Sequence, residues 1–221
     1  MKICLISDTH NKHRELKIPE NIDMIIFAGD ISFRGEISII SDFANWMKDL
    51  PIQHKIVIAG NHDRSFEDNR HDIVVKLLHE AGITYLQDNS ITIDGLNIYG
   101  SPWQPAFCNW SFNAERGKEI AAIWSKIPDS THILVTHGPP KGVLDLVEND
   151  YGGFDHIGCE DLMNRIDQLK ELKLSTFGHL HLQGAQKAIL NGIIFVNAAM
   201  CDEQYKITRE PVIVDISTIT N

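Results

Sequence analysis

Cations are scarce in this chain. Across 221 residues, 20 Lys and Arg stand against 30 Asp and Glu, a formal net charge of -10. Binding duplex nucleic acid takes a basic face, so the composition argues against that partner. Cysteine is equally sparse. Cys4, Cys108, Cys159 and Cys201 lie far apart and form no Cys-x-x-Cys pair, which argues against a zinc ribbon or dithiol redox motif. Buried free thiols in a reducing compartment are the expectation. No apolar run reaches the roughly 20 residues of a membrane span. A strand is expected from Lys2, leaving no room for a secretion signal, so the expected location is cytoplasmic, with no membrane partner. Repeats, low-complexity tracts and linkers are also missing. Residues 1–221 therefore read as a single domain with a full core.

What is present is one arrangement, used five times. Lys55-Ile56-Val57-Ile58-Ala59 is a β-branched run that reads as a buried strand. Gly60 ends it, and Asn61-His62-Asp63 follow at once. Lys2–Ser7 leads in the same way to Asp8-Thr9-His10, and Asp23–Ala28 leads to Gly29-Asp30. His132–Thr136 leads to His137-Gly138, and Leu174–Phe177 leads to Gly178-His179-Leu180-His181. In α/β sheets, ligands gather beyond the carboxyl ends of strands, and each of these runs delivers Asp, Asn or His there.

Helices are expected between the strands. Glu36–Leu50 carries Ile37, Ile40, Phe43, Ala44 and Met47 on one face and stops at Pro51. His71–Ala81 carries Ile73, Val74, Leu77 and Leu78, with Gly82 as its stop. Ala114–Ile127 and Cys159–Leu172 are further helices. Asp94-Gly95 and Asn191-Gly192 signal two hairpins, over 90–100 and 183–196. Pro211–Ile216 is a closing strand, while Ser101–Asn113 and Pro139–Gly158 are expected loops. A loop as long as the second is usually functional. Both halves alternate strands with helices and both carry a hairpin. That pattern predicts an α/β protein of two mixed sheets packed together with helices outside.

The candidate groups at the strand ends are Asp8, His10, Asp30, Asn61, His137, His179 and His181. This nitrogen and oxygen set without thiolate suits Mn²⁺, Fe, Zn²⁺, Co or Ni rather than Ca²⁺. Seven groups are too many for one catalytic ion with an open position. They suit two divalent metal ions if a carboxylate bridges, and Asp30 is the candidate. Bound metal also makes a small anionic substrate compatible with the acidic chain. Taken singly, each group has a plainer reading: turn residues at Asp8 and His10, turns or caps at Asp30 and Asn61, a buried turn histidine at His137. Their joint order weighs against that reading.

The motifs Asp8-x-His10, Gly29-Asp30, Gly60-Asn61-His62-Asp63, His137-Gly138 and Gly178-His179-x-His181 together resemble those of the calcineurin-like metallophosphoesterases, in the family order. Ser101-Pro102-Trp103-Gln104-Pro105, Thr136-His137-Gly138-Pro139-Pro140 and Asn197-Ala198-Ala199-Met200-Cys201 further resemble the subgroup of metallophosphoesterase-domain-containing proteins. The resemblance implies a four-layer α/β/β/α sandwich around a dinuclear centre. Asp8, His10 and His181 would hold one ion, Asn61, His137 and His179 the other, and Asp30 both. Mn²⁺ is the first expectation for the ions. His62, with Asn61, would bind the phosphate, and His62 would protonate the leaving oxygen after in-line attack by hydroxide. The implied substrate is a small phosphoester, most of all a phosphodiester such as a cyclic nucleotide. The alternatives are a phosphomonoesterase or phosphoprotein phosphatase on the same centre, and a non-catalytic interaction module.

Phosphoprotein phosphatases of this superfamily carry a second Asp three residues after the bridging one, and it orients the catalytic His. Here that place is Phe33, so the partner of His62 is open, with Asp63 its neighbour in sequence. Arg34 is in register with a phosphate-binding Arg of those enzymes. His13, His54, His71, His79 and His132 are expected on the surface or on helix faces. Trp103, Phe107, Trp110 and Phe112 are expected to seal the core, with stacking of a nucleobase by one Trp the lesser alternative.

Overall fold

The computed structural model describes residues 1–216. Strands β1 (Lys2–Ile6), β2 (Met24–Ala28), β3 (His54–Ile58) and β4 (Thr84–Tyr85) follow one another in parallel. Helix α1 (Ile37–Asp49) crosses from β2 to β3, and α2 (His71–Glu80) crosses from β3 to β4. The antiparallel hairpin β5 (Asn89–Ile93) and β6 (Leu96–Ser101) opens the second half. The expected loop after it holds a small bridge, β7 (Gln104–Pro105) with β8 (Asn113–Ala114). Then come α3 (Lys118–Trp124), β9 (Ile133–Thr136), and a second small hairpin, β10 (Leu146–Glu148) with β11 (Phe154–His156). Helix α4 (Glu160–Ile166), β12 (Leu174–Phe177), β13 (Gln186–Leu190), β14 (Ile193–Asn197) and β15 (Val212–Asp215) complete the chain.

Two mixed sheets result. The first has the order β15-β1-β2-β3-β4, with β15 antiparallel to β1. The second has the order β13-β14-β12-β9-β6-β5, parallel from β14 to β6 and antiparallel at both edges. Side-chain alternation along the strands sorts the apolar residues into three layers. Ile3, Leu5, Met24, Ile26, Ile56 and Ile58 meet Ile98, Ile133, Val135, Leu174 and Val196 between the sheets. The opposite faces of the first sheet, Cys4, Ile6, Ile25, Phe27 and Val57, receive Ile40, Phe43, Met47, Val74 and Leu78 of α1 and α2. Tyr99, Leu134, Phe177 and Phe195 of the second sheet receive Ile120, Trp124, Leu162 and Ile166 of α3 and α4. This is the expected four-layer α/β/β/α sandwich. Every residue of β2 is buried, as a central parallel strand covered on both faces requires.

Several expectations are corrected. The helices expected over 114–127 and 159–172 are single short pieces, because Ala114 is drawn into pairing with Pro105 and the chain turns after Ile166. Ile73, expected inside, is 50% exposed. His13, expected at the surface, is fully buried against Phe43 and Trp46, where Asp42 holds its Nε2 at 2.9 Å. Three of the cysteines are buried free thiols, but Cys108 is exposed.

Candidate metal centre

The carboxyl ends of the two sheets meet. Ser7, just past β1, forms a parallel bridge with Ala199, just past β14, and the Met200 N–H donates to the Ser7 carbonyl at 3.1 Å. Around that seam the seven expected groups come together from five strand exits. Asp30 lies at the middle. Its Oδ2 is 3.4 Å from His137 Nε2, 3.7 Å from His10 Nε2 and 4.0 Å from His62 Nε2. Its Oδ1 accepts the His62 main-chain N–H at 2.9 Å. On one side, Asp8 Oδ1 is 3.5 Å from His181 Nε2, which is 3.3 Å from His10 Nε2. On the other, Asn61 Oδ1 is 2.9 Å from His137 Nε2. Asp8, His10 and His181 offer ligand atoms within 4.8 Å of one another, as do Asp8, Asp30 and His137, and also His10, Asp30 and His62. His179 belongs to none of these groups. Its ring lies 5.0 Å from that of His137 and is edged by Phe107 at 5.2 Å.

The main chain is bent to achieve this. Asp8, His10, Asp30 and His179 all have positive φ, at 51°, 42°, 60° and 68°. Such a conformation costs a non-glycine residue roughly 1–2 kcal/mol and persists only where the surroundings dictate it. Asp63 is one such constraint. Its carboxylate accepts the Ile31, Ser32 and Gly60 N–H groups at 3.0, 2.9 and 3.0 Å, and the Ser32 hydroxyl at 2.8 Å. It thereby staples the loop after β2 to the loop after β3. Asp8 is a second, since its two oxygens accept the His179 N–H at 3.0 Å across the seam. A methyl group on Gly60 would strike Asp30, and one on Gly178 would strike Asp8 and the Ser7 hydroxyl. The glycines that precede Asn61 and His179 are therefore required by close approach.

Three imidazoles are oriented by main-chain carbonyls. Nδ1 of His62 bonds to the Phe33 carbonyl at 3.0 Å, Nδ1 of His137 to that of Ala28 at 2.9 Å, and Nδ1 of His181 to that of Asp202 at 2.8 Å. A carbonyl only accepts, so each Nδ1 carries the hydrogen and each Nε2 faces inward. Such second contacts set ring direction and basicity in metal sites. They also answer what holds His62. The partner is the backbone of Phe33, the very residue whose side chain is not a carboxylate. Asp63, its neighbour in sequence, points away to the loop staple.

Electrostatics differ sharply across the cluster. Burial lowers the His10 pKa to about 4, and the carboxylates of Asp30 and Asp8 only partly oppose it. Burial and the adjacent His137 lower His179 to about 3. His137 is also buried, but Asp30 and Asp8 outweigh that and raise it to about 9. Burial disfavours the charge on Asp30, yet the surrounding histidines hold it well below the usual carboxylate range. Burial and the nearby Asp30 charge raise Asp63 to about 6 despite its hydrogen bonds.

Above the cluster opens a cleft of about 880 Å³. Trp110, Tyr205 and Phe107 form much of its wall. Trp110 packs on the His62 ring, with centroids 4.1 Å apart, and the Arg64 guanidinium lies 5.1 Å from the same indole. Trp103 instead bonds Asp88 at 2.9 Å. Arg34 lies outside the cleft, in a smaller crevice beside Arg64 and Trp110. The sequence places Phe33 and Asp63 in or beside the motifs but does not reveal their roles, and Tyr205 carries no signal that ties it to the centre, because each acts through main-chain geometry or long-range packing.

A buried cluster of carboxylates and imidazoles at the joined ends of two sheets defines a metal-site architecture, and comparison with known proteins gives it a family. The calcineurin-like phosphoesterase family model matches residues 1–183, and the chain belongs to that family. Its relatives include human metallophosphoesterase domain-containing protein 1, 35% identical, the match covering 99% of this chain and 72% of that protein. UPF0046 protein C25E10.12 of Caenorhabditis elegans is 37% identical over 98% of this chain and 81% of its own length. Among solved structures, phosphopantetheinyl hydrolase of Mycobacterium tuberculosis shares the fold with a TM-score of 0.64 at 17% identity, covering 96% of this chain and 95% of that one. TT1561 of Thermus thermophilus has a TM-score of 0.60 at 15% identity, covering 89% and 88%. The family normally binds a dinuclear divalent metal centre and acts on phosphoesters.

Proposed function

We propose that this protein is a metal-dependent phosphodiesterase acting on small nucleotides, cyclic nucleotides among them. The observation that carries the metal-dependent part of the proposal is Asp30, whose Oδ2 is approached by three imidazole Nε2 atoms. The diester and nucleotide part follows the subgroup resemblance of residues 101–105 and 197–201. The donor set fits a pair of divalent ions. It offers only nitrogen and oxygen lone pairs, and among the described residues no Lys or Arg side chain bonds to Asp8 or Asp30. Asp8, His10 and His181 would hold one ion, Asn61, His137 and His179 the other, and Asp30 would be shared. Bound there, such ions supply Lewis acidity to the phosphoryl oxygens and make water a competent nucleophile near neutral pH.

The chain's own residues do the rest. Asn61 and His62 line the cleft beside Asp30, where they would bind the phosphate. The Phe33 carbonyl keeps the His62 Nδ1–H occupied, so Nε2 is the atom that can carry a proton to the leaving oxygen. A positioned general acid of this kind is typically worth about 10²–10⁴-fold. Trp110 covers one side of His62 and limits its rotation.

The test is a panel of cyclic nucleotides, dinucleotides and monoesters assayed with Mn²⁺, Fe²⁺, Zn²⁺, Co²⁺ and Ni²⁺. Mn²⁺-stimulated cleavage of diesters, abolished by a chelator, is expected. Faster turnover of monoesters than diesters overturns the diester assignment. Purified protein that holds no metal after supplementation, and cleaves nothing, overturns the enzyme assignment in favour of an interaction module.

A further inference from the structure

Tyr205 is the aromatic residue that the metal-centre reading does not use, and its setting is unusual. Its ring stands edge-on to His10 at 4.8 Å and to His181 at 5.4 Å, and lies 6.4 Å from His62. His10 beneath it is fully buried, whereas Tyr205 is 37% exposed and faces the cleft. Tyr205 therefore shares the wall of the cleft above Asp30 with Trp110 and Phe107.

The conformation that puts the ring there is costly. Tyr205 has φ 58°, a left-handed value that an aromatic L-residue rarely adopts. A dedicated turn enforces it. The Asp202 carboxylate accepts the Gln204 and Lys206 N–H groups at 3.0 and 2.9 Å, and the Tyr205 N–H donates to the Asp202 carbonyl at 2.9 Å. The Lys12 ammonium, from the loop after β1, binds the Tyr205 carbonyl. The same Asp202 carbonyl orients His181. A glycine would satisfy the turn without strain. Strain kept at a cleft wall points to a role for the side chain. Phe33 packs on Tyr205 with ring centroids 5.3 Å apart, and Trp110 is engaged by His62 and Arg64.

We propose that Tyr205 is a specificity-determining residue, its ring being the surface against which the organic group of the phosphoester lies. The surface is flat and apolar, so it selects esters carrying an aromatic or heteroaromatic group over those carrying only short alkyl groups. This deepens the phosphodiesterase reading and rests on it. An aromatic pair of this kind is worth about a five-fold difference in affinity.

Three proteins test it: wild type, Tyr205→Phe and Tyr205→Gly. The first readout needs no turnover. Binding of phenylphosphonate and of methylphosphonate to the Mn²⁺-loaded protein is measured by calorimetry. The wild type and Tyr205→Phe are expected to favour the phenyl compound about five-fold or more. Tyr205→Gly is expected to lose that preference while keeping its metal content and a thermal midpoint no lower than wild type. The second readout is hydrolysis of phenyl and methyl p-nitrophenyl phosphate, which share a leaving group. There the loss should fall on KM for the phenyl ester rather than on kcat. An unchanged phenyl-to-methyl ratio in Tyr205→Gly, or no preference in the wild type, overturns the assignment. Failure of the wild type to hydrolyse either diester overturns the phosphodiesterase reading instead, and the phosphonate ratio still reports on Tyr205.

Discussion

The two sheets contribute different chemistry to one site. The exits of β1, β2 and β3 deliver the oxygen donors Asp8, Asp30 and Asn61 together with His10 and His62, whereas the exits of β9 and β12 deliver only histidines. Their support differs as well. The loops after β2 and β3 are tied together by the Asp63 carboxylate, which gathers four donors. His137 and His179 are held by contacts to the opposite sheet, through the Ala28 carbonyl and the Asp8 carboxylate. The first sheet thus carries the negative charge and its own scaffold, and the second brings basic nitrogens that take their positions from it. A set of ligands so divided exists only when both sheets are folded against each other. Ions held by these candidate ligands would link metal affinity to folding, because they would bind the assembled centre and not its separated halves.

The sharpest way to break this division is to remove the shared carboxylate. Asp30→Asn is expected to abolish phosphoesterase activity and to leave substoichiometric metal, measured by elemental analysis beside the assay. Retention of both ions would mean that the first sheet's charge does not hold the centre together. Next in size is His62, a first-sheet residue assigned to proton transfer rather than to metal. His62→Ala should lose about 10³-fold in kcat with metal content unchanged. The drop should shrink for esters whose leaving group needs no proton, such as p-nitrophenol, and an equal drop for all esters would count against the assignment.

His137 and His10 differ in the proton each holds at neutral pH. Metal-free His137 is raised to about 9, with Nδ1 on the Ala28 carbonyl and Nε2 beside two oxygens, so it keeps its proton at neutral pH. His10, lowered to about 4, has none to lose. Metal loading at pH 7 should therefore release a proton from His137, and affinity should rise with pH up to about 9. Calorimetry in buffers of different ionisation heat measures the release, which His137→Asn should remove. The sign for stability is opposite in the metal-free protein. A histidine whose pKa is raised in the folded state adds stability below its unfolded value of 6.5, and that stability is lost as pH rises through about 9.

The smallest effect expected is on stability alone. Asp63→Asn places an NH₂ where donors already converge, at a cost of about 2–3 kcal/mol. For a protein of this size that is a drop in melting temperature of roughly 5–10 °C. Activity per bound metal should fall far less than in Asp30→Asn. A normal melting temperature would show that the first-sheet loops do not depend on the staple.

Much of the site can be read before folding. Short apolar runs ending in Asp, Asn or His mark the strand exits, since a buried parallel strand needs continuous apolar residues and a site needs polar ones beyond it. Helix lengths are less legible. Ala114 has good helical propensity but pairs with Pro105, and tertiary contacts override local preference.

The sequence by itself determined two mixed sheets with helices outside and the seven candidate ligands, through apolar runs that end in Asp, Asn or His. The resemblance carried by those motifs implied the family, the four-layer sandwich and the candidate acid His62. Only the tertiary structure decided that Phe33 orients His62, that Asp63 serves the loops, that His179 stands apart from the closest ligand groups, and that Tyr205 overlies the centre. These depend on main-chain carbonyls, left-handed turns and packing between residues far apart in the chain. A carbonyl is the same at every position, so what it bonds to is set by the fold.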